Sequence, residues 1–138
     1  MKNWSTIKFL FGLILLAVSC APAENKEASN NKIVELEPRD FKSKLSSTAD
    51  AVLIDVRAPE ELPDGIIEGA ININFKDPSF SEKINALDKD KPYFVYCYSG
   101  KRGAAAAKQM DSIGFNNVST LKGGFKSWSE EELEIVKP

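Results

Sequence analysis

Two short runs leave this chain little choice of architecture. Ala51-Val52-Leu53-Ile54-Asp55-Val56 and Tyr93-Phe94-Val95-Tyr96 are apolar almost without a break. A strand with one wet face alternates polar and apolar residues. A strand lacking that alternation has both faces covered, as in a parallel sheet packed between helices. The other segments fit the same plan. Ile33 to Leu36, Ile71-Asn72-Ile73 and Val118 to Leu121 are further strand candidates. Between them, Pro38 opens a helix with Phe41 and Leu45 on one face, and Phe80, Ile84 and Leu87 keep helical spacing after Pro78-Ser79. Gly103 to Ile113 is alanine-rich, with Gly114 as its stop, and Phe125 and Trp128 anchor a last helix. Strands alternating with helices predict an α/β fold around a mostly parallel sheet of about five strands.

The 138 residues include no histidine and two cysteines, Cys20 and Cys97, and the net charge is −2. Without histidine there is no Cys-His or Ser-His couple, and two cysteines alone do not make an ordinary structural zinc site. Neither a metal nor another cofactor is expected. The mildly acidic balance offers nucleic acid no basic footprint, so no nucleic-acid partner is expected. Whatever activates a nucleophile here must be backbone amides, a helix dipole, lysine or arginine.

Residues 1–32 read differently from the rest. Lys2 and Lys8 precede an uncharged apolar run, Phe9 to Val18, the layout of an export signal. At about ten residues the run is too short for a bilayer core, which needs about 20. It ends in Ala17-Val18-Ser19-Cys20, which resembles a bacterial lipobox, with Ala17 where leucine is usual. The resemblance implies that residues 1–19 are a lipoprotein signal peptide and that Cys20 is lipidated, which gives the protein a membrane partner. An ordinary signal cut near Ala21 or Ala23, or an uncleaved anchor, are the alternatives. Residues 20–32 read as the lipidated cysteine and a flexible tether. The protein is then expected to be exported and lipid-anchored at the bacterial cell envelope, facing the periplasm or on the outer membrane. Acylation of Cys20 leaves Cys97 as a lone thiol.

Residues 33–138 form the folded domain, and its chemistry is expected at Cys97 in Cys97-Tyr98-Ser99-Gly100-Lys101-Arg102-Gly103. Cys97 falls where a strand ends and a helix is about to begin, the edge of an α/β sheet at which sites collect. Ionised sulfur is the nucleophile, and a helix N-terminus or nearby cations favour ionisation. Gly100 and Gly103 let the loop turn its N–H groups inward. The following helix adds its dipole, and Lys101 and Arg102 add two cations. An inert buried cysteine is the competing reading; the basic, glycine-containing flanks speak against it.

Four segments together resemble the rhodanese family. Cys97, Gly100 and Arg102 match its loop Cys-x-x-Gly-x-Arg. Leu53 to Leu62 resembles its Asp-Val-Arg segment and the following Pro-x-Glu, with Leu62 in place of an aromatic. Gly65 to Ile73 resembles its Gly-His-Ile-x-Gly-Ala-x-Asn-Ile run, with Ile66 where histidine is usual and Glu68 where proline is usual. Leu121 to Trp128 resembles its Leu-x-Gly-Gly…Trp signature. The resemblance spans residues 33–132, in order and at family spacing.

That resemblance implies a three-layer rhodanese-like domain. It further implies an enzyme, a thiosulfate or sulfane-sulfur transferase working through a Cys97 persulfide, with a thiol, a thioredoxin-like protein or cyanide as acceptor. The six-residue spacing from Cys97 to Arg102 resembles the sulfurtransferases; related phosphatases carry Cys-x5-Arg. Arg102 is expected to grip an anionic donor in bidentate fashion. Lys101 either binds the donor or is a solvated charge, Ser99 either donates to the persulfide or is a plain loop residue, and Tyr98 either lines the mouth or packs. By resemblance Asp55 is a structural hydrogen-bonder near the site. Arg57 is a rim cation or, in the preferred reading, an ion-pair partner of Glu60 or Glu61. Gly69, Gly123 and Gly124 are read as backbone-geometry positions, and Trp128 as core. The alternative function is a non-catalytic or slow module that carries sulfane sulfur or binds a partner at the envelope. A monomer is expected.

Overall fold

The computed structural model describes residues 33–138; residues 1–32, where a signal peptide, a lipidated Cys20 and a tether are expected, lie outside the described residues. The elements follow as β1 (Ile33–Leu36), α1 (Pro38–Ser47), β2 (Val52–Asp55), a 3-10 helix (Pro59–Asp64), β3 (Ile71–Asn72), α2 (Phe80–Asn85), β4 (Tyr93–Tyr96), α3 (Lys101–Ser112), β5 (Val118–Leu121) and α4 (Gly124–Glu130). The five strands form one sheet in the order β1-β5-β4-β2-β3, and every neighbouring pair is parallel. β4, the most apolar run, takes the centre.

Side chains alternate across a strand, and here both sides are apolar. Leu53, Phe94, Tyr96 and Leu121 enter one layer with Phe41 of α1 and Phe125 and Trp128 of α4. Ile54, Val95 and Val118 enter the other with Phe80 and Ile84 of α2 and Ala106, Ala107 and Met110 of α3. The small alanines bring α3 close to the sheet. In the first layer Phe41 meets Phe94 edge-on with centroids 5.3 Å apart, and Trp128 at 6.4 Å. Each such pair adds about 1 kcal/mol beyond its burial. The result is a three-layer α/β domain, as the uninterrupted apolar strands require.

Three local features depart from the sequence-based expectation. α3 starts at Lys101 rather than Gly103, because Gly100 takes a left-handed backbone (φ 96°) as its N-cap and its carbonyl already accepts from Ala104 N–H at 3.0 Å. α2 stops at Asn85, leaving Leu87 beyond the helix but packed on the core. The 3-10 helix had no counterpart in the expectation. Pro59 fixes its first turn, Pro63 denies a continued α-helical ladder, and the Glu61 carboxylate accepts from Ala58 N–H at 2.9 Å. Past it, Ile66 forms an antiparallel bridge with Val136, with N–H to O distances of 2.8 and 2.9 Å. The C-terminal tail is thereby fastened over this segment, and Trp128 Nε1 donates to Glu134 O at 3.0 Å.

Candidate active site

Cys97 follows the last residue of β4 and is 0% exposed, packed in the core cluster with Ala106 and Ala107; the burial that its basic flanks spoke against is present, because the end of β4 lies beneath the first turns of α3. The chain then turns through Tyr98, Ser99 and Gly100 into α3. Gly100 N–H donates to Cys97 Sγ at 3.1 Å, so one loop amide does point inward as the sequence suggests. Tyr98 is 46% exposed, which makes it a rim residue rather than a packed one. Ser99 and Lys101 are exposed too, and Lys101 forms no ion pair among the described residues. Gly103 is buried in the first turn of α3, where an added Cβ would stand 3.4 Å from Cys97 N. That close approach brings the helix start up to the end of β4.

The loop is held from behind by the N-terminus of α4. Phe125 N–H donates to Cys97 O at 2.7 Å and Lys126 N–H donates to Tyr98 O at 3.0 Å. These are amides that an α-helix leaves without an internal partner. In a planar trans peptide the C=O and the next N–H point in opposite directions. Drawing both carbonyls toward α4 therefore turns the N–H groups of Tyr98 and Ser99 away from it. Gly124 makes the approach possible. Its φ is 64°, and a Cβ there would lie 2.5 Å from both Cys97 O and Tyr98 O. The paired glycines are backbone positions, as expected, and their partner is the cysteine loop itself.

Next to the loop, the end of β2 carries a buried ion pair. Arg57 is paired with Asp55, not with Glu60 or the Glu61 carboxylate. β2 ends at Asp55, and the bend that follows lets the Asp55 carboxylate accept from the backbone two residues on, which places Arg57 over it rather than over the later acids. Arg57 Nη2 donates to Asp55 Oδ2 at 2.6 Å, Nε donates to both carboxylate oxygens at 3.0 Å, and Arg57 N–H donates to Oδ1 at 2.9 Å. Both side chains are 1% exposed. The guanidinium lies 4.2 Å from the Phe125 ring centroid and 5.6 Å from that of Tyr96, and it also donates to Gly65 O at 2.8 Å. Burial opposes its charge, yet the Asp55 hydrogen bonds and charge more than offset this and hold its pKa above the ordinary value. Burial, joined by the Asp55 charge, pushes the Tyr96 hydroxyl well up; its oxygen accepts from Ile67 N–H at 3.1 Å. Asn72 Nδ2 donates to Asp55 O and Arg57 O, each at 2.9 Å. Arg57 is thus an internal brace, not a rim cation, and Asp55 is the structural hydrogen-bonder expected.

Arg102, the second residue of α3, spends its fork on a protein carboxylate. Nη1 donates to Glu61 Oε2 at 2.6 Å and Nη2 to Glu61 Oε1 at 2.8 Å. The bidentate geometry expected toward a donor anion is therefore made to Glu61. The hydrogen bond from Arg102, with that from Ala58 N–H, holds the Glu61 carboxyl down at about 2. Glu61 in turn raises Arg102, and Cys97 is among the groups supporting its charge. Glu61 is the site residue that sequence reasoning did not assign to Arg102. Its signal was the Pro-x-Glu position in Pro59-Glu60-Glu61, but nothing local says which arginine it meets.

A concavity of about 140 Å³ lies elsewhere, among Lys42, Leu45, Ile67 and Trp128 on the α1–α4 side. Among the described residues no cluster of three or more His, Cys, Asp or Glu side chains is placed to hold a metal ion.

Residues 37–131 match the family model of the Rhodanese-like domain. The chain is 37% identical over 100 residues to the putative sulfurtransferase YtwF of Bacillus subtilis, covering 72% of this chain and 94% of YtwF. It is 35% identical over 78 residues to the thiosulfate sulfurtransferase GlpE of Shewanella oneidensis, covering 56% of this chain and 75% of that one. A rhodanese-related protein of Thermoplasma volcanium of known structure superposes with a TM-score of 0.67 at 32% identity, covering 76% of this chain and 99% of that one.

Proposed function

The chain belongs to the rhodanese-like domain family, and from that premise we propose that it is a sulfurtransferase that carries sulfane sulfur as a persulfide on Cys97. The observation that carries the reading is the setting of Sγ: a buried sulfur at the end of the central strand, accepting from Gly100 N–H at 3.1 Å. Kinship to proteins named sulfurtransferases supports the class of reaction.

In this reading the Cys97 thiolate attacks the outer sulfur of a donor such as thiosulfate. A new S–S bond forms at Cys97, the donor's S–S bond breaks, and sulfite leaves with the bonding pair. The persulfide anion takes over the sulfur's place beside the Gly100 amide and Arg102. An acceptor then attacks the outer sulfur and regenerates the thiolate, which is covalent, two-stage catalysis. The acceptor is a thiol, a thioredoxin-like protein or cyanide. Tyr98, Ser99 and Lys101, exposed on the loop, form the surface an acceptor meets. Cys97 is the free cysteine among the described residues, and acylation of Cys20 in this proposal would leave it without a second thiol in the chain.

Incubating the full chain with thiosulfate is expected to add one sulfur atom to its intact mass, and cyanide then releases thiocyanate; Cys97→Ser does neither. An adduct with negligible turnover would favour a carrier over an enzyme. No adduct from any sulfane donor overturns the persulfide. Anchoring at the envelope through a lipid on Cys20 belongs to the same proposal and is supported by the sequence of residues 1–20. Palmitate label is expected in the wild-type chain and absent from Cys20→Ala; an unlabelled wild type overturns it.

A further inference from the structure

Resting on the sulfur-transfer reading, we propose that Glu61 is a specificity-determining, positioning residue: by taking both terminal nitrogens of Arg102 it makes the Cys97 loop discriminate against dianionic donors and in favour of uncharged or singly charged persulfides. Arg102 is the half-buried cation of the loop, with Cys97 among the groups that favour its charge, and its two Nη groups point at Glu61 Oε2 and Oε1 at 2.6 and 2.8 Å. A bidentate pair of this kind fixes orientation as well as charge. The carboxyl is held at about 2, so the neutralising charge is present at every pH at which an enzyme works. The carboxylate is itself tethered, since it also accepts from Ala58 N–H at 2.9 Å. Its segment is fixed in turn by Arg57, which donates to Gly65 O at 2.8 Å and to Glu61 O at 3.4 Å. The remaining loop cation, Lys101, is exposed on the first helical residue, where solvent and salt screen it.

The two donor classes differ in what they ask of that field. Thiosulfate brings two negative charges and releases sulfite with two. An alkyl persulfide brings at most one on its sulfur: the Cys97 thiolate attacks the terminal sulfur of R–S–SH, the donor's S–S bond breaks, R–S⁻ departs with the bonding pair, and the proton stays on the transferred sulfur. A loop whose arginine is already neutralised gives the dianion little attraction. It does not penalise the persulfide.

Glu61→Gln keeps an oxygen for Ala58 N–H and removes the charge. In the full chain it is expected to lower KM for thiosulfate by about two- to fivefold, the size of a partly exposed charge pair. The change should be steeper at low salt, and the ratio of kcat/KM for thiosulfate to that for cysteine persulfide, which carries at most one net negative charge, should rise by the same factor. Sulfate protection of Cys97 against iodoacetamide measures dianion affinity without any sulfur transfer, and it should tighten by the same factor. Parallel losses with both donors, or an unchanged thiosulfate KM together with unchanged sulfate protection, overturn the proposal. If the wild type transfers from neither donor while sulfate protection still tightens in Glu61→Gln, the transfer reading fails and the role of Glu61 in anion discrimination stands.

Discussion

Replacing Gly124 by alanine puts the clamp between α4 and the cysteine loop to a quantitative test. Two costs arise from the structure. A left-handed backbone (φ 64°) is unfavourable for an L-residue by about 1 kcal/mol. The new Cβ would also stand 2.5 Å from Cys97 O and from Tyr98 O. Both are backbone atoms that cannot swing aside, and such overpacking costs about 1–3 kcal/mol. The total is about 3 kcal/mol, or a Tm fall of about 15 °C at this domain size. Gly69→Ala is the matched control: its φ is 82° and nothing lies within 4 Å of the added methyl, so it carries the backbone cost alone, about 1 kcal/mol. Thermal unfolding by circular dichroism gives the two shifts. Relief of the overlap must move the loop carbonyls, so Gly124→Ala should also change the iodoacetamide rate at Cys97 and reduce sulfur transfer by about 100-fold. If Gly124→Ala melts no lower than Gly69→Ala and leaves alkylation and transfer unchanged, the clamp does not hold the loop.

Asp55→Asn leaves the 1% exposed Arg57 guanidinium without its counter-charge, and chemical denaturation should show a loss of about 3–5 kcal/mol. A loss under 1 kcal/mol would mean that the cation–π contacts and Gly65 O suffice to hold it. The Glu61–Arg102 pair predicts a specific acid response. The Glu61 pKa is lowered from 4.5 to about 2 in the fold, so its stabilisation is complete above the unfolded value and is lost as pH falls from about 4.5 through 2. The Tm difference between wild type and Glu61→Gln, worth about 1 kcal/mol at neutral pH after solvent screening, should therefore shrink between pH 5 and pH 2 by about that amount; a constant difference would contradict the assignment.

What was legible in the sequence was what is local. Val52 to Asp55 and Tyr93 to Tyr96 declare two covered faces by their lack of alternation, and that fixes the layers and the parallel sheet. Pro38 opens α1 where it should. The loop was legible because Cys97, Gly100 and Arg102 lie within one turn of chain. The pairings across the site were not. Glu61 and Arg102 are 41 positions apart and meet because the 3-10 helix carries one to the mouth of the other. Arg57 had three acids within four residues; only the bend just past β2, where Arg57 N–H also meets Asp55 Oδ1, selects the one it pairs with. The start of α3 slipped by two residues for a related reason. The positive φ expected of Gly100 is present, but it serves as the N-cap that makes Lys101 helical, and Gly103 lies inside the helix without one. Ile66, set against a usual histidine, resolves as a backbone position: its N–H and C=O meet Val136.

Because all five strands run in one direction, the sheet has a pole where chains enter and a pole where they leave. Cys97 and the first turn of α4 sit at the exit pole. Ile33, on the edge strand β1, sits at the entry pole, about 13 Å away along a four-residue strand. Any pull from the chain before Ile33 is thus applied to the far end of the molecule. In a protein moored through Cys20, as proposed, the tether would therefore join the domain at the pole opposite its sulfur, and the Cys97 loop would not be the part of the domain tied down.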